Sequence, residues 1–343
     1  GYVFVSEIGS EGCFEQRCWI RRIDPVTGEW MVFADYEAGL CDNSGLRFTP
    51  DGSRLRVLNL SNNTIQDYDA AGNGTVVYGV TDGLRGPFGG NGQLWDAQGA
   101  FYVANEYSNQ ILRFECPTCP AEVFARRTDG PIGGGGLGMA TDRSLFLARR
   151  VLLRILNDHT IVTFDDYGSL MAAHTLVFDR HGNLYVGAKD IGNGGAGTVR
   201  RYRGTDPATR EVLISGLTAG DRVAIELSED ESTLYYAGNR NLIAIDLSDG
   251  SSRVIFTTPR DSDDFIRRLG RGIAVYKAPK PGDMNCDNWV NNFDIDPFVL
   301  ALTDAEGYQA RFGWCDRSRA DVNRDGEINS FDIDAFVAAV VGD

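Results

Sequence analysis

The chain has 343 residues, 43% of them hydrophobic, which is enough to bury one large core or two smaller ones. Its net charge of −15 excludes nucleic acid and an anionic membrane surface as partners, since both require a basic face. No apolar run approaches the roughly 20 residues that cross a bilayer, so no membrane span is expected.

The chain opens on Gly1, as a processed secreted chain would. "YVFVSEI", "CWIRRIDP" and "EWMVFADY" then read as three strands. Five segments follow that share one phrase, an apolar run, a polar turn and a second apolar run: "GLRFTPDGSRLRVLN", "GQLWDAQGAFYVAN", "GLGMATDRSLFLA", "TLVFDRHGNLYVG" and "AIELSEDESTLYYAG". Alternating apolar residues around such a turn predict a β-hairpin. The turn positions Asp51, Gln98, Asp142, His181 and Asp230 are 47, 44, 39 and 49 residues apart. Each hairpin is followed by a third strand ("TIQDYD", "QILRFE", "LLRIL", "TVRRYR", "NLIAID") and a fourth ("GTVVYGV", "AEVFARR", "TIVTFDD", "REVLISG", "SRVIFTT"). Four strands every 45 residues or so make a β-propeller blade. The N-terminal strands match the second to fourth of this phrase, and the missing first is "GRGIAVYK", at 270–277. The expected fold is an all-β six-bladed β-propeller over residues 1–278, closed by both termini so that no sheet edge is left open. These hairpin phrases resemble those of NHL-repeat and gluconolactonase-like propellers, which supports the fold.

Seven Cys (13, 18, 41, 116, 119, 286, 315) and three His form no four-ligand zinc pattern. The short spacings Cys13–Cys18 and Cys116–Cys119 suit local disulfides in an oxidising compartment, and Cys41 or one of its two N-terminal neighbours is left over. Resemblance to a gluconolactonase implies a central metal held by a Glu, Asn residues and an Asp. Glu7, Asn43 and Asn91 are loose candidates, but the equivalent positions elsewhere are Gly136, His174 and Arg222, so the acid set is incomplete. His174 reads as a channel-lining or structural residue. "GPIGGGG" (130–136) lacks the Lys-Ser/Thr of a phosphate loop. Asn59, Asn62 and Asn73 begin N-x-S/T sequons on one blade.

"APKPGD" (278–283) is a joint, with a linker at 279–281, and the remaining 282–343 forms a second module. From Gly282 onward 13 Asp and Glu stand against 4 Arg, a clustering that points to a cation site. Two phrases there fit a 12-residue calcium loop. Asp283, Asn285, Asp287, Trp289, Asn291 and Asp294 occupy positions 1, 3, 5, 7, 9 and 12 of loop one; Asp321, Asn323, Asp325, Glu327, Asn329 and Asp332 occupy those of loop two. Alternate residues of a tight loop point inward and supply the 6–8 oxygens a hard cation needs, and position 7 contributes its main-chain carbonyl. Two Ca2+ ions are expected. Position 6 is Asn288 in loop one, where Gly is usual, and Gly326 in loop two. Each loop runs directly into an apolar helix, "FDIDPFVLALT" and "FDIDAFVAAVV". The loops lie 38 residues apart, with Asn at position 9 and Asp at position 12, and the pair resembles a dockerin module over 282–343. A Cys286–Cys315 disulfide would staple that module.

The resemblance implies a protein partner for the tail, either a neighbouring copy, which could propagate into a filament, or a cohesin-like receptor. The bulky Phe293 and Phe331 after position 9 depart from the small hydroxyl pairs usual there and weigh against an ordinary cohesin. The expected role is that of a secreted, non-enzymatic binding or structural protein. The alternative is a gluconolactonase-like or polysaccharide-active enzyme, for which carbohydrate is the second ligand class.

Overall fold

The computed structural model describes residues 1–8, 18–84, 92–105, 108–116, 119–128, 135–149, 151–166, 171–192, 194–220, 222–259 and 268–342. The first strands are β1 (Val3–Ile8), β2 (Cys18–Ile23) and β3 (Trp30–Asp35). The second blade is β4 (Asn43–Phe48), β5 (Leu55–Asn59), β6 (Thr64–Tyr68) and β7 (Gly74–Tyr78). The third is β8 (Gln93–Trp95), β9 (Phe101–Asn105), β10 (Gln110–Phe114) and β11 (Glu122–Arg126). The fourth is β12 (Leu137–Met139), β13 (Leu145–Ala148), β14 (Val151–Ile155) and β15 (Ile161–Asp166). The fifth is β16 (Met171–Phe178), β17 (Leu184–Asp190), β18 (Ala196–Tyr202) and β19 (Glu211–Leu217). The sixth is β20 (Val223–Leu227), β21 (Thr233–Gly238), β22 (Asn241–Asp246) and β23 (Ser252–Thr257). The last strand, β24 (Arg268–Val275), pairs antiparallel with β1, so the first blade has the order β24-β1-β2-β3. The expected six blades and their closure by both termini are both present.

One turn recurs between the first and second strands of blades two to six. The main-chain N–H of its fourth residue donates to the carbonyl of its first: Gly52 to Thr49, Gly99 to Asp96, Arg143 to Ala140, Gly182 to Asp179 and Glu231 to Ser228. That fourth residue is left-handed in every case, with φ between 59° and 79°, which explains why Gly occupies it three times. An Asp side chain braces each turn by accepting main-chain N–H bonds: Asp51, Asp96, Asp142, Asp179 and Asp230. All six blades also carry a register shift between their third and fourth strands, a bulge the sequence did not announce.

The core lies in the seams between blades. Alternate residues of one strand serve opposite seams: Val3 and Val5 pack toward blade six, with Leu242 and Phe256, while Phe4 packs toward blade two, with Val57 and Tyr68. Each of the six seams holds one such cluster. Two seams also bury an ion pair: Arg21 with Glu7, and Arg56 with Asp67 at 2.7 Å.

Beyond Val275 the chain leaves the ring and forms three helices, α1 (Ile295–Thr303), α2 (Ala305–Arg311) and α3 (Asp332–Val341). They enclose a separate small core of Met284, Phe298, Ala301, Tyr308, Ala320 and Phe336. α1 and α3 are the expected helices. α2 is additional; it is short, and Asp304 Oδ1 caps it by accepting from Gly307 N at 2.9 Å. Among the described residues no helix is long and apolar enough to cross a membrane.

A chain ending at Lys277 should melt about 10 °C or more above one ending at Thr258. The shorter chain loses the burial of Leu269, Ile273, Ala274 and Val275 and opens the first blade. Equal calorimetric midpoints would show that β24 does not close the ring.

Candidate metal loops and the propeller mouth

The two loops in the C-terminal module share one backbone. Positions 4 and 6 are left-handed in both: Cys286 (φ 58°) and Asn288 (73°), Arg324 (62°) and Gly326 (90°). Asn tolerates that conformation better than most residues, which explains how Asn288 replaces glycine. The hydrogen bonds also repeat. The position 1 carboxylate accepts from the N–H groups of positions 5 and 6, at 3.1 and 3.2 Å on Asp283 and at 3.0 and 2.9 Å on Asp321. The position 12 carboxylate reaches back to positions 3 and 9, at 3.1 and 2.9 Å from Asp294 and at 3.2 and 3.0 Å from Asp332. Asn285 and Asn323 each accept from the Asp two residues on at 2.9 Å, and Asn291 and Asn329 accept from Phe293 and Phe331. Asp287 and Asp325 accept from the position 7 N–H groups of Trp289 and Glu327, at 2.8 and 2.9 Å.

Burial separates the loops. Asp283 and Asn285 are buried, whereas Asn323, Asp325 and Glu327 are exposed. Burial pushes the Asp283 carboxyl up to about 7, although the Arg319 guanidinium draws it down. Burial likewise pushes Asp294 to about 6 and raises Asp287. Two buried carboxylates and a half-buried one in one loop disfavour their own ionisation. Among the described residues no three His, Cys, Asp or Glu side chains converge tightly enough to hold a metal by themselves. A cation here would therefore draw on the mixed set of carboxylate, amide and main-chain oxygens, which suits a hard ion. Cys286, at loop position 4, is joined to Cys315 by a disulfide, and Cys116 is joined to Cys119. Cys18 is buried, and its Sγ accepts from Asp42 N at 3.2 Å. Cys13 lies outside the described residues, and with it the expected Cys13–Cys18 bridge.

On the far side of the module, α1 and α3 enclose an apolar groove of about 460 Å³. Ile295, Phe298, Val299, Leu302 and Thr303 face Ile333, Phe336, Val337, Val340 and Val341, each partner 38 residues on. The groove is therefore two-fold repeated, with the Phe298 and Phe336 rings stacked at 3.8 Å on its midline. Phe293 and Phe331 stand exposed beside it.

Loop one sits on the propeller, over the face that carries the repeated turns. Arg319 donates to the Pro50 carbonyl at 3.2 Å, and Lys280 lies 3.8 Å from Glu229. The Trp289 ring has the Arg180 guanidinium 5.2 Å from its centroid. Trp314 covers Gly99 so closely that a Cβ there would come within 2.2 Å of the indole. Between module and disc lies a cavity of about 220 Å³, lined by Arg47, Trp95, Glu226, Lys277, Asp287 and Asn288 among others.

Below this cavity the ring axis is narrow, a space of about 40 Å³ among innermost strands that carry Arg47, Arg271, His174 and Glu226, with Arg222 just before one of them. His174 Nδ1 accepts from Val223 N at 3.1 Å, a blade-to-blade tie that fits its structural reading. Glu7 is not at the axis. It lies on β1, fully buried against Arg21, so its proposed place in a lactonase metal set is corrected to a seam ion pair. Asn43 is also buried, donating to the Trp19 carbonyl, and Asn91 lies outside the described residues. So do residues 130–134 of the Gly-rich stretch, while Gly136 lines the axis. Of the sequons, Asn59 is buried with its Oδ1 accepting from Cys41 N, which leaves no room for a glycan; Asn62 and Asn73 are exposed.

No protein-family model matches the chain, and no curated protein matches it. Among solved structures it is similar to a chain of the nidogen–laminin complex, with a TM-score of 0.61 and 16% identity over 81% of this chain and 99% of that one. It is also similar to a gluconolactonase from Xanthomonas campestris, with a TM-score of 0.50 and 15% identity over 66% and 85%. At these identities the likeness concerns the fold, a six-bladed β-propeller.

The raised carboxyls set the sign of a pH effect. A folded pKa above the unfolded value stabilises below about pH 4 and loses that contribution as pH rises through about 6 to 7. In chelator, denaturant unfolding followed by Trp289 and Trp314 fluorescence should show a module more stable at pH 5 than at pH 8. Equal midpoints would mean that these carboxyls are not perturbed.

Proposed function

We propose that this is a secreted, non-enzymatic binding protein made of two modules, a propeller over 1–278 and, after the joint at 279–281, a dockerin-like docking module over 282–343. The observation that carries the reading is the exact repetition within the module: two loops with the same left-handed positions and hydrogen bonds, followed by two helices that build one two-fold groove.

Asp283, Asn285, Asp287, Asn291 and Asp294, with the Trp289 carbonyl, would hold one Ca2+. Asp321, Asn323, Asp325, Asn329 and Asp332, with the Glu327 carbonyl, would hold the second. Calcium supplies charge neutralisation among clustered carboxylates, and its binding energy becomes folding energy for the module. The residues themselves fix the helix starts, because Asp294 and Asp332 precede or open α1 and α3 while bonded back into their loops. So ordered, the module presents an apolar face for a protein partner, a neighbouring copy or a cohesin-like receptor. Two disulfides support an extracellular setting. The same disc serves in a protein complex in the nidogen–laminin structure, in keeping with a binding role. The gluconolactonase-like alternative rests on fold alone.

Calorimetry of the full chain should find two calcium ions, and Asp283→Ala or Asp321→Ala should each leave one. No calcium uptake would sink the reading. Light scattering then tests the partner: self-association in calcium should be lost in Val299→Asp/Val337→Asp. A wild-type protein that stays monomeric at every calcium and protein concentration removes the neighbouring copy and leaves the receptor.

A further inference from the structure

We propose that the propeller's turn face is the docking surface for this chain's own loop one, and that calcium in loop one clamps the module over the mouth of the ring axis. The proposal rests on the calcium reading above.

The two loops are copies in backbone, yet they differ at the side chains that meet the propeller. Loop two has Arg324, Gly326 and Glu327, all exposed. Loop one has Cys286, Asn288 and Trp289 in their place. Cys286 and Asn288 line the cavity above the axis, and the Trp289 ring lies against the Arg180 guanidinium. The loops also differ at Met284/Val322, Val290/Ile328 and Asn292/Ser330, but the replacements at positions 4, 6 and 7 are the ones that line the cavity or meet Arg180.

Two residues make calcium and docking a single event, because each touches loop one and the propeller at once. Arg319 donates to Asp283 Oδ2 at 2.7 Å and to the Pro50 carbonyl at 3.2 Å, and it is buried while doing both. Trp314 donates from Nε1 to the Asn285 carbonyl at 3.3 Å, with its ring over Gly99. The loop conformation that brings Asp283 and Asn285 into a ligand set is therefore the one that aims Arg319 and Trp314 at the disc. By reciprocity, whatever blocks the seat weakens calcium in loop one by the same factor that calcium strengthens the seat.

The test places the perturbation on the propeller, at residues that are not themselves calcium ligands. Gly99→Asn keeps a left-handed residue in the turn but drives a side chain into Trp314. Gly250→Asn is the control: it is left-handed at φ 75°, and its nearest neighbour would be the Leu213 carbonyl at 3.8 Å. With Asp321→Ala silencing loop two, calorimetry should show calcium binding to loop one about tenfold weaker in Gly99→Asn and unchanged in Gly250→Asn. Arg180→Ala, an exposed change that leaves the fold intact, should weaken it about threefold. Calcium uptake with one affinity in all variants overturns the clamp and leaves the calcium reading standing, whereas no uptake in any of them overturns both. An affinity that falls as the protein is diluted would place the clamp between copies and overturn its intramolecular form.

Discussion

The antiparallel ladder between β24 and β1 positions every other feature of this molecule. It joins residues 260 or more positions apart, Val3 with Val275 and Ile8 with Arg268, and it completes the blade that local sequence cannot build. Without it the seam clusters beside blade one lose Leu269, Ile273 and Val275 on one side and Ala274 on the other. A propeller with one broken blade is an open curved array with two exposed edges, so closure converts six marginal sheets into one cooperative body.

That ladder also decides where the module goes. β24 is the innermost strand of its blade, and its C-terminal end lies at the face of the repeated turns, beside the axis. The chain leaving Val275 has only a few residues before loop one begins, so the module is delivered to the mouth of the ring. Had the closing strand been the outermost of its blade, the same module would have emerged at the rim. The joint and the module then meet the turns of several blades at once, Arg319 at Pro50 of blade two, Trp314 at Gly99 of blade three, Trp289 at Arg180 of blade five and Lys280 at Glu229 of blade six.

Much of this was legible in the sequence because repetition averages out local ambiguity. Five copies of one phrase placed Asp51, Gln98, Asp142, His181 and Asp230 at the third position of five identical turns, and the structure has them there. The phrase missing at the N-terminus located β24. The loops were legible for the same reason, two copies of one spacing. Features set by a single copy were not. Arg21 gives no sign that it holds Glu7, since their contact depends on a strand register that only the folded sheet fixes. α2 is too short and polar to show an apolar period. Arg319 and Trp314 look like ordinary connecting residues, because their partners Pro50 and Gly99 are more than 200 positions away.

The two faces of the module answer to different constraints, and this determines what it can do while seated. The groove residues from Ile295 to Thr303 and from Ile333 to Val341 have kept their 38-residue correspondence, whereas the loops have lost theirs at the propeller contact. Among the described residues, the contacts to the disc come from Lys280, Trp289, Trp314 and Arg319, none of which lines the groove. Seating therefore uses up loop one without covering α1 or α3, and occupancy of the groove need not release the mouth. An apolar, two-fold repeated groove of about 460 Å³ is thereby left open while the module sits beside the ring axis. The place of the module therefore follows from the closing strand, which delivers it beside the axis, and from Arg319 and Trp314, which each touch loop one and the disc.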